Sequence, residues 1–229
     1  MNLNLEQLIK TCNAKYLIGE NLVNQIDFKN IEIQHLLYDS RRLNFIDNTL
    51  FFAFKTTNND GHKYIKELYN KGIRLFICEE LQDLNQFPDA VFLLVKNSLE
   101  ALQKIAKYKR ENFHKEVVAI TGSNGKTIVK EWIVQLAQEN KKICYSPRSY
   151  NSQIGVALSL WQLNTNYDLG LFEAGISKPN EMTRLQEMIQ PTIGIFTNIG
   201  SAHQINFSSL EEKIEEKLKL FTTCKTLIC

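Results

Sequence analysis

Two kinds of apolar spacing alternate along this chain. Short unbroken runs have the length of buried strands, and the stretches after them repeat apolar residues at intervals of three and four, as helices do. Val117-Val118-Ala119-Ile120 is such a run; Ile128, Trp132, Ile133 and Leu136 then predict a helix through Gln138 with those four side chains on one buried face. Earlier, Leu3, Leu5, Leu8 and Ile9 predict a short opening helix, residues 31–38 alternate imperfectly, and 49–54, 73–78 and 90–95 read as strands. Helical spacing covers 62–69, ended by Gly72, and resumes at Ser98 through Leu99, Leu102, Ile105 and Ala106. Later strands are expected at 142–145, 169–172 and 193–197, with helices at 154–163, 180–189 and 209–221. Ser209 with Glu212 three positions on fits a capping box at the start of the last helix.

This rhythm predicts an α/β protein with mostly parallel strands. The charged stretch Lys109-Arg110-Glu111-Asn112-Phe113-His114-Lys115 reads as a solvated linker, so a small N-terminal α/β domain is expected over 1–112 and a second domain over 113–229. Residues 226–229 read as the start of another buried strand, and an open sheet ending there would lack covering material. The expectation is therefore part of a longer enzyme.

Candidate chemistry sits where the strand at 117–120 meets the helix. Thr121-Gly122-Ser123-Asn124-Gly125-Lys126-Thr127 has the composition of a phosphate loop: glycines for a tight turn, backbone N–H groups at a helix N-terminus, a lysine charge and a hydroxyl suited to a phosphate-bound magnesium. Ile120 stands where the longer motif has its first glycine, and an ordinary turn is the competing reading. The flanking strand and helix favour a nucleotide, making the second domain a truncated P-loop ATPase domain. Glu173 and His203 follow strands and, with Thr127, offer donors for a divalent ion; a solvated Glu and a structural His are the alternatives. Asp39-Ser40-Arg41-Arg42 ends a strand with groups that match phosphate oxygens, or forms a salt-bridged turn. Asn151 and Ser152 are substrate contacts or an N-cap, and Lys217 and Lys219 read first as an exposed helix face.

Composition narrows the partners. The chain is 44% hydrophobic and 23% charged, the balance of a soluble globular protein, and 27 basic against 25 acidic residues give a formal charge of +2. No basic block suggests a nucleic-acid groove. Five cysteines, at 12, 78, 144, 224 and 229, have neither metal nor Cys-x-x-Cys spacing and read as unpaired thiols. With no signal peptide and no stretch long enough to span a bilayer, a cytoplasmic protein without stable membrane insertion is expected.

The ordered set Asp39-Ser40-Arg41, Asp60-Gly61-His62, residues 121–127, Lys130-Glu131, Asn151, Glu173-Ala174-Gly175, Thr197-Asn198-Ile199-Gly200, Ala202-His203 and Lys217 resembles the Mur ligase family. The segment from Phe172 to Met182 looks most like its D-alanyl-D-alanine-adding branch. The resemblance implies ATP- and Mg2+-dependent amide formation, through an acyl phosphate, between UDP-N-acetylmuramoyl-tripeptide and D-alanyl-D-alanine in peptidoglycan precursor synthesis. It implies ATP contacts from Gly122, Ser123, Asn124, Gly125, Lys126, Thr127 and Asn198, and metal contacts from Thr127, Glu173 and His203. It further implies UDP-substrate contacts from Ser40, Arg41 and Asn151, and catalytic roles for Lys126, His203 and Lys217, the last matching a family lysine often modified to a carbamate. Asn180 departs from a common family glycine, and Thr56-Thr57 from a glycine-containing loop. The competing readings are an amino-acid-adding Mur ligase and a non-catalytic nucleotide-binding or partner-regulatory module.

Overall fold

A capping box sets the first helix. In the computed structural model, which describes residues 3–23, 25–200 and 206–229, strand β1 (Leu3–Asn4) runs into helix α1 (Leu5–Cys12). Asn4 Oδ1 accepts from Gln7 N at 2.8 Å and Gln7 Oε1 accepts from Asn4 N at 3.1 Å, which satisfies two amides that a helix start leaves without partners. Then follow β2 (Lys15–Ile18), β3 (Glu32–Ile33), β4 (His35–Leu37), β5 (Thr49–Phe52), α2 (Ile65–Asn70), β6 (Leu75–Cys78), β7 (Val91–Leu94) and α3 (Ser98–Glu111).

The chain divides into two compact units, Met1–Lys104 and Ile105–Cys229, the division falling within α3. In the first, a five-stranded sheet has the order β2-β7-β6-β5-β4, with β2 antiparallel to β7 and the other pairs parallel. Phe51, Phe76 and Phe92 pack together in its core. The imperfect alternation over 31–38 has a structural cause: β3 pairs with β1 and β4 with β5, so one run serves two sheets.

The second unit contains β8 (Val117–Thr121), α4 (Lys126–Ala137), β9 (Ile143–Tyr145), α5 (Gln153–Trp161), β10 (Leu169–Glu173), α6 (Glu181–Ile189), β11 (Ile193–Phe196), α7 (Leu210–Leu218) and β12 (Thr226–Ile228). All five strands are parallel, in the order β12-β11-β8-β10-β9. The later strands lie on both sides of β8, so the order reverses beside it. Open parallel sheets collect ligands at the carboxyl ends of strands at such a point.

Three sequence expectations are corrected. On α4, Val129, Ile133, Val134 and Ala137 face the sheet, against Val118, Ile120 and Leu171. Ile128, Trp132 and Leu136 are 57%, 62% and 81% exposed. Two adjacent apolar stripes run along this helix, and a spacing of three and four does not say which one meets the sheet. The charged stretch 109–115, which begins in the last turn of α3, is no solvated linker throughout: Arg110 is buried and donates to Ile189 O and Gln190 O, both at 2.7 Å, a cation satisfying the end of α6. Strand β12 is paired on one side by β11 but is exposed along its length, not buried.

Cys12, Cys78 and Cys144 are buried and unpaired, and burial pushes each thiol up to about 12, away from thiolate chemistry. Among the described residues, no helix is long and apolar enough to cross a membrane.

Candidate functional site

The turn from β8 into α4 is built around two glycines. Gly122 has φ +148°, and a Cβ there would lie 2.0 Å from Thr197 Oγ1; Gly125, the residue before α4, has φ +81°. Both conformations are costly for a residue with a side chain. Thr121 Oγ1 donates to Ala174 O at 2.8 Å, fixing the end of β8 to the end of β10.

The segment after β11 is laced to the turn. Ser123 N donates to Asn198 O and Asn124 N to Asn198 Oδ1, both at 2.9 Å, and Thr197 Oγ1 donates to Asn124 O at 2.6 Å. Ser123 Oγ accepts from Gly200 N at 2.9 Å. Two amides of the loop are thus engaged by Asn198, whose place in the structure is that of a loop holder.

Lysines converge on the same carbonyls. Lys126 Nζ folds back to donate to Gly122 O at 2.9 Å, and Lys217 Nζ donates to the same oxygen at 3.1 Å. Lys213, one helical turn before Lys217 on α7, donates to Gly200 O. Burial lowers the Lys126 pKa, Glu173 opposing that effect and the Lys213 charge adding to it. Lys217 falls to about 8, through burial first and then the charges of Lys126 and Lys213. The exposed-face reading of Lys217 is therefore corrected: only 4% of the residue is exposed, because α7 turns this side toward the loop. Lys219 keeps an exposed side chain and pairs with Glu216 at 2.6 Å.

Beneath the loop, Thr127 Oγ1 donates to Glu173 Oε2 at 3.0 Å, so the two described residues of the expected metal set are adjacent. Glu173 is fully buried at the end of β10. Its Oε1 lies 3.1 Å from Lys130 Nζ, yet no donor is aligned with it for a hydrogen bond. A buried carboxylate oxygen with unused acceptor capacity next to a threonine hydroxyl suits a hard cation such as magnesium. His203 lies outside the described residues.

Lys130 and Lys213 are the residues that spacing alone left without a role. Lys130 is fully buried, contacts Glu173 and donates to Ser146 O at 2.8 Å. Its position one turn after Lys126 on α4 was the available signal; Lys213 had the same relation to Lys217.

Of the other expected residues, Asn151 O accepts from Gly175 N at 2.9 Å, beside Glu173, while Ser152 caps α5 by accepting from Gly155 N at 3.2 Å. Asn180 has φ +67°, a left-handed position that Asn tolerates better than most side chains, which accounts for its standing where the family commonly has glycine. Glu181 accepts from Ser177 N and Lys178 N, at 2.6 and 3.0 Å, and so closes the loop before α6. At the other end of the unit's last long connection, Ser209 accepts from Glu212 N at 3.1 Å, but Glu212 reaches back to Ser208, one residue earlier than a capping box requires.

In the first unit, Ser40 is buried and Arg41 makes a two-bond contact to Asp39, at 2.9 and 2.8 Å, which holds the Asp39 carboxyl down at about 2. The Arg41 side chain is otherwise open to solvent, 86% exposed. Asp60, His62 and Glu80 also bring possible metal-ligand atoms together. His62 Nε2 accepts from Glu79 N at 2.9 Å, which leaves the proton on Nδ1 to face Asp60 Oδ1 at 2.6 Å. Both ring nitrogens are committed, so this His braces the turn. Gly61 lets it pack: a Cβ would meet Phe54 N at 2.8 Å.

Comparison with known proteins agrees with this layout. The Mur ligase middle domain matches residues 120–228, and the description "Mur ligase family, catalytic domain" matches 32–110. UDP-N-acetylmuramoyl-tripeptide--D-alanyl-D-alanine ligase from Borreliella burgdorferi is 34% identical over 204 residues, covering 85% of this chain and 44% of that protein. MurF from Acinetobacter baumannii shares the fold, with a TM-score of 0.86 at 24% identity over 98% of this chain and 47% of the other. MurF ligase from Thermotoga maritima, solved in complex with ADP, has a TM-score of 0.73 at 28% identity over 84% of this chain and 44% of the other. The chain spans less than half the length of these relatives. Two matches that between them run from the first unit through the end of the second, in the order the fold requires, establish that this chain belongs to the Mur ligase family.

Proposed function

We propose that the chain supplies the UDP-substrate unit and part of the ATP-binding unit of a ligase that joins D-alanyl-D-alanine to UDP-N-acetylmuramoyl-tripeptide, in cytoplasmic peptidoglycan precursor synthesis. The observation that carries this reading is the grouping of Lys126, Thr127 and Glu173 beneath a glycine-built loop, in a chain similar over 85% of its length to a ligase of that name. The Thermotoga maritima relative, solved in complex with ADP, supports a nucleotide as ligand.

A carboxylate is a poor acylating agent. In the proposed reaction its oxygen takes the terminal phosphoryl group of ATP, releasing ADP. The dipeptide amine then attacks the acyl carbon, phosphate leaves, and the amine nitrogen gives up a proton as the amide forms. Lys126 swings from Gly122 O to the terminal phosphates, where its charge offsets negativity building on the transferring oxygens. Thr127 and Glu173 would hold magnesium, together with His203 as the family resemblance implies, and the ion would supply charge neutralisation at the phosphates. Gly122, Ser123, Asn124, Gly125 and Asn198 form the ATP cradle. Lys217 adds a charge whose sign depends on whether it carries a carbamate. Ser40 and Arg41 hold the UDP moiety, Arg41 exchanging Asp39 for a diphosphate oxygen, and Asn151 contacts the muramyl peptide.

ADP release by the full-length gene product tests the assignment. It should require both the UDP-muramyl tripeptide and D-alanyl-D-alanine; a requirement for a diamino acid instead would place it in an amino-acid-adding branch, and nucleotide binding without turnover would favour a non-catalytic module. Lys126→Ala should lower ATP-dependent turnover by about 100-fold or more, in line with loss of one preorganised charge at a transition state.

A further inference from the structure

Lys213 is only 1% exposed, on α7, a helix whose Glu211 and Glu215 face water while Glu216 and Lys217 are buried beside it. Its ammonium donates to Gly200 O, and Gly200 N is itself bonded to Ser123 Oγ of the loop. Lys126 and Lys217 both donate to Gly122 O on that loop. A Cβ at Gly200 would lie 3.6 Å from Asn124 Nδ2 and 3.8 Å from Ser123 Cβ, so the carbonyl that Lys213 holds belongs to a residue packed on the loop. Lys213 and Lys217 are buried and Lys126 is half-buried, so the like charges gathered at the loop repel, and bringing each out of water is costly. An anion of several charges placed among them reverses both effects.

We propose that Lys213 is a third cation of the phosphate site, donating to the terminal phosphates of the bound nucleotide alongside Lys126. This rests on the nucleotide reading above and assigns a residue to it. In phosphate loops the loop lysine reaches the β- and γ-phosphates, and Lys213 holds the carbonyl of a residue whose amide is bonded to Ser123 of that loop. Lys213 moves from a carbonyl to a phosphate oxygen without leaving its helix, as Lys126 does. Its position at the Gly200 end of the loop also couples phosphate binding to the segment that begins after β11.

The test is titration of the full-length protein, in magnesium, with a non-hydrolysable ATP analogue, ADP and AMP, together with the melting temperature with and without each. Lys213→Met should weaken binding of the triphosphate analogue by about 10- to 100-fold, the range for one charge-assisted hydrogen bond. ADP should be affected less and AMP little, and Lys213→Arg should recover much of the loss. The unliganded melting temperature of Lys213→Met reports separately on the fold: losing the hydrogen bond to Gly200 O lowers it and removing a buried charge raises it. A melting temperature that falls while the analogue still binds as in the wild type would make Lys213 a structural lysine and overturn the proposal. Equal weakening of all three nucleotides would also overturn it, since the effect would not follow the phosphates. Failure of the wild type to bind any of the three would instead defeat the nucleotide reading itself.

Discussion

Lys130 and Glu173 form an ion pair in which both side chains are fully buried, with Nζ 3.1 Å from Oε1. The pair joins the second turn of α4 to the end of β10, and Lys130 reaches on to Ser146 O after β9. Removing one partner of such a pair strands the other charge. Lys130→Met should therefore destabilise the protein by roughly 3–5 kcal/mol in urea or guanidinium unfolding. In Lys130→Met/Glu173→Leu no buried carboxylate is left unpaired, and the loss should shrink to the cost of the carbonyls that Lys130 served and of its contact with the partly exposed Glu131. If the double variant is as unstable as the single one, the charge pairing is not what holds α4 to β10.

Gly122→Ala tests the loop by geometry alone. The new Cβ would sit 2.0 Å from Thr197 Oγ1 and about as close as 3.0 Å to Asn198 O, at φ +148°. The backbone strain is on the order of 1–3 kcal/mol, before any movement of the segment after β11. Nucleotide affinity should fall along with stability, since the same segment holds Ser123 and Asn124. Adding Thr197→Ala should restore only part of the loss, because it removes one contact and leaves the Asn198 backbone and the φ value unchanged. Full recovery of both would show that the φ value is tolerated.

The parts of this protein legible in its sequence are those where a short-range pattern and the tertiary contact agree. The run 117–120 followed by glycines and a lysine became β8, the loop and α4, because one strand–turn–helix unit fixes them all. Thr127, in the first turn of α4, and Glu173, at the end of β10, met because both stand beyond or at the carboxyl ends of two neighbouring parallel strands, β8 and β10. Lys130, Lys213 and Lys217 were harder to read. A lysine at helical spacing looks the same whether its face meets water or a loop from elsewhere in the chain, and only the packing of α7 against the turn after β8 distinguishes the two. The α4 stripes failed in the opposite direction, two apolar faces competing for one sheet.

That competition is measurable on α4. Leu171 is fully buried in the cluster beneath the helix, and Leu171→Ala should cost about 2–5 kcal/mol through lost burial and the cavity left behind. Trp132 is 62% exposed in this structure, and Trp132→Gln should change stability by no more than about 0.5 kcal/mol if that face meets water. A Trp132→Gln loss approaching that of Leu171→Ala in the full-length protein would mean that the Ile128, Trp132 and Leu136 stripe is covered there.

The depressed pKa of Lys217 makes a signed prediction about pH. A lysine at about 8 in the folded protein and 10.5 when unfolded binds its proton more weakly in the folded state. Between those values the unfolded chain holds more protons, so stability rises with pH across roughly 8 to 10.5. Below pH 8 the lysine is charged in both states and the full penalty of burying it beside Lys126 and Lys213 is present; above 10.5 that penalty is gone. The shift corresponds to about 3 kcal/mol at most. Unfolding free energies measured at pH 7.5 and pH 10, in bicarbonate-free buffer so that the amine stays unmodified, should show this contribution as the difference between the wild type and Lys217→Met, the wild type gaining more or losing less with pH. Lys126 and Lys109, whose pKa values are also lowered, act in the same direction in both proteins, and the buried thiols of Cys12, Cys78 and Cys144, raised to about 12, act in the opposite direction in both. An identical slope in the two proteins would mean that the Lys217 pKa is not lowered in the folded state, its charge being met by an anion already in place; a Lys217 already neutral at pH 7.5 would instead make the wild type rise still more steeply relative to the variant. Repeating the pair with magnesium and a non-hydrolysable ATP analogue adds the nucleotide's own anion, which should raise the Lys217 pKa and bring the wild-type curve toward that of the variant.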